Sequence, residues 1–400
     1  MDRPINTPRT PIHQQHISDI RGLVQLTREA TLDATRVVEG VHQSVWSGLA
    51  MPGGRRAGST RGITGLVYRS INGVTRLVGA GADAALAGIQ PLFTEKDPET
   101  PESPKREAFI AALNGVMGDR LQADQNPFAT AMTLRHRGAV LDETLSGTLP
   151  SASGKVLLLI HGLCMNDLQW RRKVEGQIVD HGQILADQLG YTPVYLRYNT
   201  GLPIARNAAL LAAEMENLSA IWPVPIESLS MVAHSMGGLL ARHAVHQARN
   251  GDMQWLKRLN KVVFLGTPHH GAPLEKAGAW VQTLLGATPY SAPFAKLSGL
   301  RSAGITDLRH GLTAEELPLT PGINWYSVAA TTAARRGVLA NHLTGDGLVP
   351  LRSALGECSR ANESLLFANG HTRVVHGTSH LGLLSSSRVS EQLLKWLGQV

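Results

Sequence analysis

Three polar residues occur in an order that could turn a hydroxyl into a nucleophile: Ser235, then Asp346, then His380. A serine hydroxyl attacks poorly until a base takes its proton, and the base works best when a carboxylate orients it. Ser235 lies in Val232-Ala233-His234-Ser235-Met236-Gly237-Gly238, where an apolar run meets a helix-like stretch. Ala233 and Gly237, two positions either side, are small enough for a tight strand-to-helix turn. Glycine is usual at the first of these positions, and alanine still fits. Asp346 stands between Gly345 and Gly347, which puts it on a turn. His380 follows a strand pattern at 372–375 and precedes the final helical stretch. His371 and His376 compete for the role of base, and Asp307 and Glu357 for that of acid. Chain order favours Asp346 and His380.

Acyl transfer also needs N–H donors for the developing oxyanion. Ile160-His161-Gly162-Leu163 ends a buried strand pattern. Gly162 lets the chain turn, and the Leu163 N–H is one candidate donor. The other is the N–H of Met236, the residue after the nucleophile. His161 and His234 are expected to support the turns beside them. Cys164 is expected to be a small buried residue rather than a reactive thiol. His269 and His270 line a pocket or bind a metal on one reading. Adjacent rings do not readily share an ion, however, and no carboxylate stands at ligand spacing. No metal or other cofactor is expected.

These residues need a scaffold. Continuous apolar runs at 156–160, 192–197, 229–233, 262–265 and 325–329 read as strands buried on both faces. Helical patterns lie between them at 177–189, 203–218 and 236–249. A short helix at 108–116 and one or two strands near 132–141 come first. The alternation predicts an α/β fold with a mostly parallel sheet and helices on both faces. Residues 272–321 interrupt it with a Gly-, Pro-, Ala- and Leu-rich insert, expected to be a helical cap or lid. Its Trp280, Leu284, Leu285 and Phe294 would line an acyl pocket or cover it. Residues 1–90 carry two amphipathic helical patterns and 91–105 a Pro-rich linker, leaving 106–400 as the catalytic domain. The N-terminal helices would cover that domain or a partner subunit. Peripheral membrane contact is the alternative.

The net charge of +7 fits attraction to nucleic acid or to anionic lipid. With 5% aromatics and no zinc spacing or RNA-binding signature, nucleic acid is not expected. Two cysteines allow one disulfide and exclude a disulfide framework. The first fifteen residues lack the apolar core of a secretory signal, and no apolar run is long enough to span a bilayer. Cytoplasmic residence, peripheral at the membrane if the N-terminal helices bind lipid, is the expectation.

His-Gly after a strand, Ala-His-Ser-Met-Gly-Gly, Gly-Asp-Gly-Leu-Val-Pro and His-Gly-Thr-Ser-His-Leu-Gly-Leu-Leu together resemble bacterial triacylglycerol lipases and esterases of the α/β-hydrolase superfamily. Small lipases of Bacillus type share the alanine before the nucleophile and the closing His-Gly-x-x-His-x-Gly-Leu-Leu. Leu265-Gly266-Thr267-Pro268-His269-His270-Gly271 is similar to a stretch of lipases and of hydrolases related to the GPI-inositol deacylases. The resemblance covers roughly residues 150–400. It implies a Ser235–Asp346–His380 triad and hydrolysis of an apolar acyl ester. An acyltransferase or thioesterase using the same residues is the alternative, as is a non-enzymatic protein of a lipid surface.

Overall fold

The apolar runs become the middle of a sheet. The structure is a computed structural model, and it describes residues 104–141, 149, 151–271, 283, 286, 301–311, 317–334, 345–358 and 360–399. The strands are β1 (Thr133–His136), β2 (Ala139–Val140), β3 (Lys155–Ile160), β4 (Arg172–Val174), β5 (Gln177–Val179), β6 (Thr192–Arg197), β7 (Ser228–His234), β8 (Leu259–Leu265), β9 (Asn324–Thr331) and β10 (Thr372–His376). Eight of them form one sheet in the order β10-β9-β8-β7-β3-β6-β1-β2. The six from β10 to β6 run parallel, and β1 joins β6 antiparallel. This is the mostly parallel α/β sheet expected.

Register aligns the carboxyl ends of the central strands. Ile160 lies beside Ala233, His234 beside Leu265, and Leu265 beside Val328. Loops leaving these ends face one another, as at the ligand sites of open α/β sheets.

The helices are α1 (Pro104–Ala123), α2 (His181–Leu189), α3 (Ile204–Ile221), α4 (Met236–Asn250), α5 (Ala303–His310), α6 (Leu351–Ala354) and α7 (Ser387–Leu397). Leu185 of α2 with Leu393 and Trp396 of α7 join Leu157, Leu159 and Val263 in one buried cluster on one sheet face. Val156, Leu158 and Ile160 alternate to the other face and are equally buried. Helices α3 and α4 pack against each other.

Two expectations need correction. The first helix spans 104–123 rather than 108–116, with a kink at Met117 (φ −143°, ψ 24°). Asn199 Nδ2 donates to the Gly118 carbonyl there (2.9 Å), diverting it from the helical ladder. Residues 177–179 are β5, paired with β4 in a hairpin, and the helix starts only at His181. The Glu175-Gly176 turn has φ +50° and +85°, which suits a tight hairpin. Asp180 then caps α2 through the N–H groups of Gly182 and Gln183.

By internal packing the chain divides into two units, residues 1–106 with 124–128, and residues 107–123 with 129–400. The sheet belongs to the second. The expected N-terminal helices and linker, and most of the expected cap, lie outside the described residues. No described helix is long and apolar enough to cross a membrane.

Candidate active site

Ser235 closes β7 and opens α4 with φ 54° and ψ −125°. A non-glycine residue at such a φ costs about 1–3 kcal/mol and persists only where its surroundings impose it. Two contacts impose it here. The Ser235 N–H donates to the Leu265 carbonyl at 2.9 Å. Behind the turn, a Cβ at position 237 would lie 2.7 Å from the carbonyl oxygens of both Ile160 and His161, so only glycine lets α4 approach β3. Serine before a helix is commonly a cap, but the Ser235 side chain makes no capping hydrogen bond.

Asp346 and His380 are buried together. His380 Nδ1 lies 2.7 Å from Asp346 Oδ2. A carboxylate only accepts, so the ring donates from Nδ1. The other carboxylate oxygen accepts from the N–H groups of Leu348 (2.9 Å) and Val349 (2.7 Å). The His380 N–H donates to the Asp346 carbonyl at 2.9 Å. Asp346 and His380 are thus joined through backbone as well as side chain. Gly266, at φ +60° after β8, backs the pair. A Cβ there would fall 3.1 Å from Asp346 Oδ2 and 3.2 Å from His380 Nδ1.

His380 Nε2 is buried and has no partner among the described residues. Ser235 Oγ and His380 Nε2 are not hydrogen-bonded to each other, although their segments meet. His234, the neighbour of Ser235, places Nε2 3.1 Å from the His380 carbonyl. The two imidazoles are tilted 46° to each other with centroids 4.6 Å apart. Triads often tighten only when substrate binds.

Leu163 is buried beside the turn. A Cβ on Gly162 would lie 2.9 Å from Ser235 Cβ, which fixes how closely this loop passes the serine. The loop is held from outside. Tyr198 Oη donates to the His161 carbonyl (2.9 Å), and the Cys164 N–H donates to Thr200 Oγ1 (3.2 Å). Sequence reasoning missed Tyr198 and Thr200, because no local pattern announces a partner 36 or 37 residues away. Further out, Arg197 pairs with Glu107 (2.8 Å) and Asp167, and Arg135 Nε approaches Asp167 (3.3 Å). This buried quartet ties α1, β1 and β6 to the 3-10 turn Asp167–Trp170 that follows the loop.

The rival residues have other partners. Asp307 accepts from the Ile204 N–H (2.8 Å), and Glu357 pairs with Arg352 at the surface (3.5 Å). His371 stacks on Tyr326. His376 lines an open cavity of about 480 Å³ with Thr378, Ser379 and Arg388. His269 is buried against Phe264 and lies 3.4 Å from Arg242 Nη1. Among the described residues no group of three His, Cys, Asp or Glu could hold a metal. Cys164 and Cys358 are both free, and burial pushes the Cys164 thiol up to about 12.

Burial also keeps His161 and His234 neutral. It lowers His161 to about 3 against a weaker opposing bond to the Gly162 carbonyl. His234 is held well below its ordinary value, first by burial and then by the neighbouring His380. Trp280, Leu284, Leu285 and Phe294, expected to form an acyl pocket, lie outside the described residues.

Residues 151–316 match the family described as PGAP1-like alpha/beta domain, a match to under half the chain. No curated protein sequence matches. Among solved structures, Bacillus licheniformis lipase BlEst2 in mature form is 16% identical with a TM-score of 0.39, covering 62% of this chain and 92% of that one. Aspergillus fumigatus lipase B is 14% identical with a TM-score of 0.36, covering 60% and 52%. Pyrococcus furiosus esterase Pf2001 is 16% identical with a TM-score of 0.35, covering 61% and 81%. By its own strand order the chain has an α/β fold with a mostly parallel sheet, and residues 151–316 are similar to a PGAP1-like alpha/beta domain.

Proposed function

We propose that the protein hydrolyses a carboxylic ester with an apolar acyl group, through a covalent intermediate on Ser235. The observation that carries this is the Asp346–His380 pair at 2.7 Å, which leaves Nε2 buried and without a partner among the described residues, in a segment that His234 joins to the uncapped Ser235 turn.

In this reading the Ser235 oxygen attacks the acyl carbonyl while His380 Nε2 takes its proton. Asp346 keeps the ring oriented and stabilises the imidazolium. The Leu163 and Met236 N–H groups hold the negative oxygen of the tetrahedral intermediate. The C–O bond to the alcohol breaks, and His380 returns the proton to the leaving oxygen. Water then attacks the acyl-serine with His380 again as base, releasing the acid and restoring the hydroxyl.

A fluorophosphonate should label the protein once per chain, and Ser235→Ala should abolish labelling. Labelling that survives this change would overturn the assignment. A series of soluble esters of increasing acyl length, compared between wild type and Ser235→Ala, then reads the acyl preference.

A further inference from the structure

The β4–β5 hairpin leaves the molecule from between the two halves of the candidate site. It begins directly after the oxyanion loop and the 3-10 turn Asp167–Trp170, whose last residue is fully buried. It ends at Asp180, which accepts from Tyr195 Oη (2.8 Å) and caps α2. The first residue of α2, His181, places Nε2 2.9 Å from the Leu383 carbonyl, three residues beyond the base His380. Both roots are therefore fixed to segments that carry the site.

Beyond those roots, residues 173–178 are all exposed. Val174 and Ile178 are 39% and 56% exposed. Cross-strand register puts Lys173 with Ile178 on one face and Val174 with Gln177 on the other. Arg171, Arg172 and Lys173 precede the turn, and Glu175 is the only acid from 171 to 179. None of the three cations has a side-chain hydrogen bond or ion pair among the described residues.

We infer that this hairpin docks the protein on an anionic lipid surface, with Arg171 and Lys173 meeting headgroups and Val174 and Ile178 entering the interface. A protein partner seats on one face of a ribbon. A tip with an aliphatic side chain on each face suits a fluid medium that surrounds it, and unpaired cations at its base suit anionic headgroups. Docking through an element rooted on both sides of the site would turn the site toward that surface.

The test uses the full chain and co-sedimentation with vesicles of phosphatidylcholine, alone or mixed with phosphatidylserine. Wild type should bind the mixed vesicles more tightly, and added salt should weaken that binding. Arg171→Gln with Lys173→Gln should weaken it about 25-fold, since each basic residue near such a surface contributes roughly fivefold. Val174→Ser with Ile178→Ser should weaken it as well. Both double variants should melt as wild type does. Equal binding to both vesicle types, binding to neither, or unchanged binding by the charge variant would overturn the inference. The binding arm stands apart from the ester reading, whereas faster turnover of a vesicle-borne ester rests on it. Binding without turnover of any ester would sink the proposed function and leave the docking element standing.

Discussion

His234 Nε2 lies 3.1 Å from the carbonyl oxygen of His380, across 146 residues of sequence. A carbonyl only accepts, so the His234 ring donates from Nε2 and keeps Nδ1 unprotonated. The residue beside Ser235 therefore holds the backbone of His380, and the two rings lie in contact. His234→Leu should lower kcat by about 10–100-fold with little change in KM, since it loosens geometry rather than binding. His234→Gln, whose amide reaches the same carbonyl, should recover most of that loss. Equal losses in both variants would mean the hydrogen bond does not matter.

Asp346 spends one oxygen on His380 and the other on two backbone N–H groups. Asp346→Asn can donate to the ring and thereby reverse its tautomer. Turnover of a soluble ester should fall about 10⁴-fold while the fold persists. Retention of even a tenth of the wild-type rate would remove Asp346 from its proposed role.

Stability should fall on acidification, through histidines that the folded state keeps neutral. Burial lowers His161 to about 3 and also lowers His181, His234 and His269. An unfolded histidine takes its proton near pH 6.5. Below that pH the unfolded chain binds protons that the folded chain refuses, so stability present above pH 6.5 drains away as pH falls toward 3. The His161 share is about 1.4 kcal/mol per pH unit in that window. Melting temperatures between pH 7.5 and 5 should drop for wild type and drop less for His161→Asn, whatever the absolute stability of the variant.

Arg197 is buried between Glu107 and Asp167. Arg197→Met removes the cation that Glu107 and Asp167 share and should destabilise the fold by about 3–5 kcal/mol in urea unfolding. A change below 1 kcal/mol would show that the quartet is solvated in practice.

Cys164 should resist iodoacetamide in the native state, because its thiol is buried and raised to about 12. Cys358, half-buried at the surface, should react first, and turnover should survive its modification. Inactivation that tracks Cys164 alkylation in folded protein would reopen the reactive-thiol reading.

The strands and the serine turn were readable in the sequence because each follows a local rule. A strand buried on both faces must be apolar throughout, as at 156–160, and a turn tight enough for Ser235 must have small neighbours. The hairpin at 172–179 was not readable, because Ile178 and Val179 continue the spacing of Ile184, Leu185 and Leu189 and so disguise a strand as a helix. The second half of α1 is polar, and the bond from Asn199 to its Gly118 carbonyl is one that no window of the sequence contains. Tyr198 and Thr200 were invisible for the same reason. Their roles exist only once β3 and β6 lie side by side.

The backbone of Ser235 has a consequence for how the protein can change. At φ 54° glycine would sit comfortably, and the serine would be surrendered without opening a cavity. Random drift under selection for robustness alone runs toward that exchange. On the proposed function, then, this position is one where a heat-tolerant lineage and a working lineage part company, and screens that reward only soluble expression would be expected to collect inactive variants there.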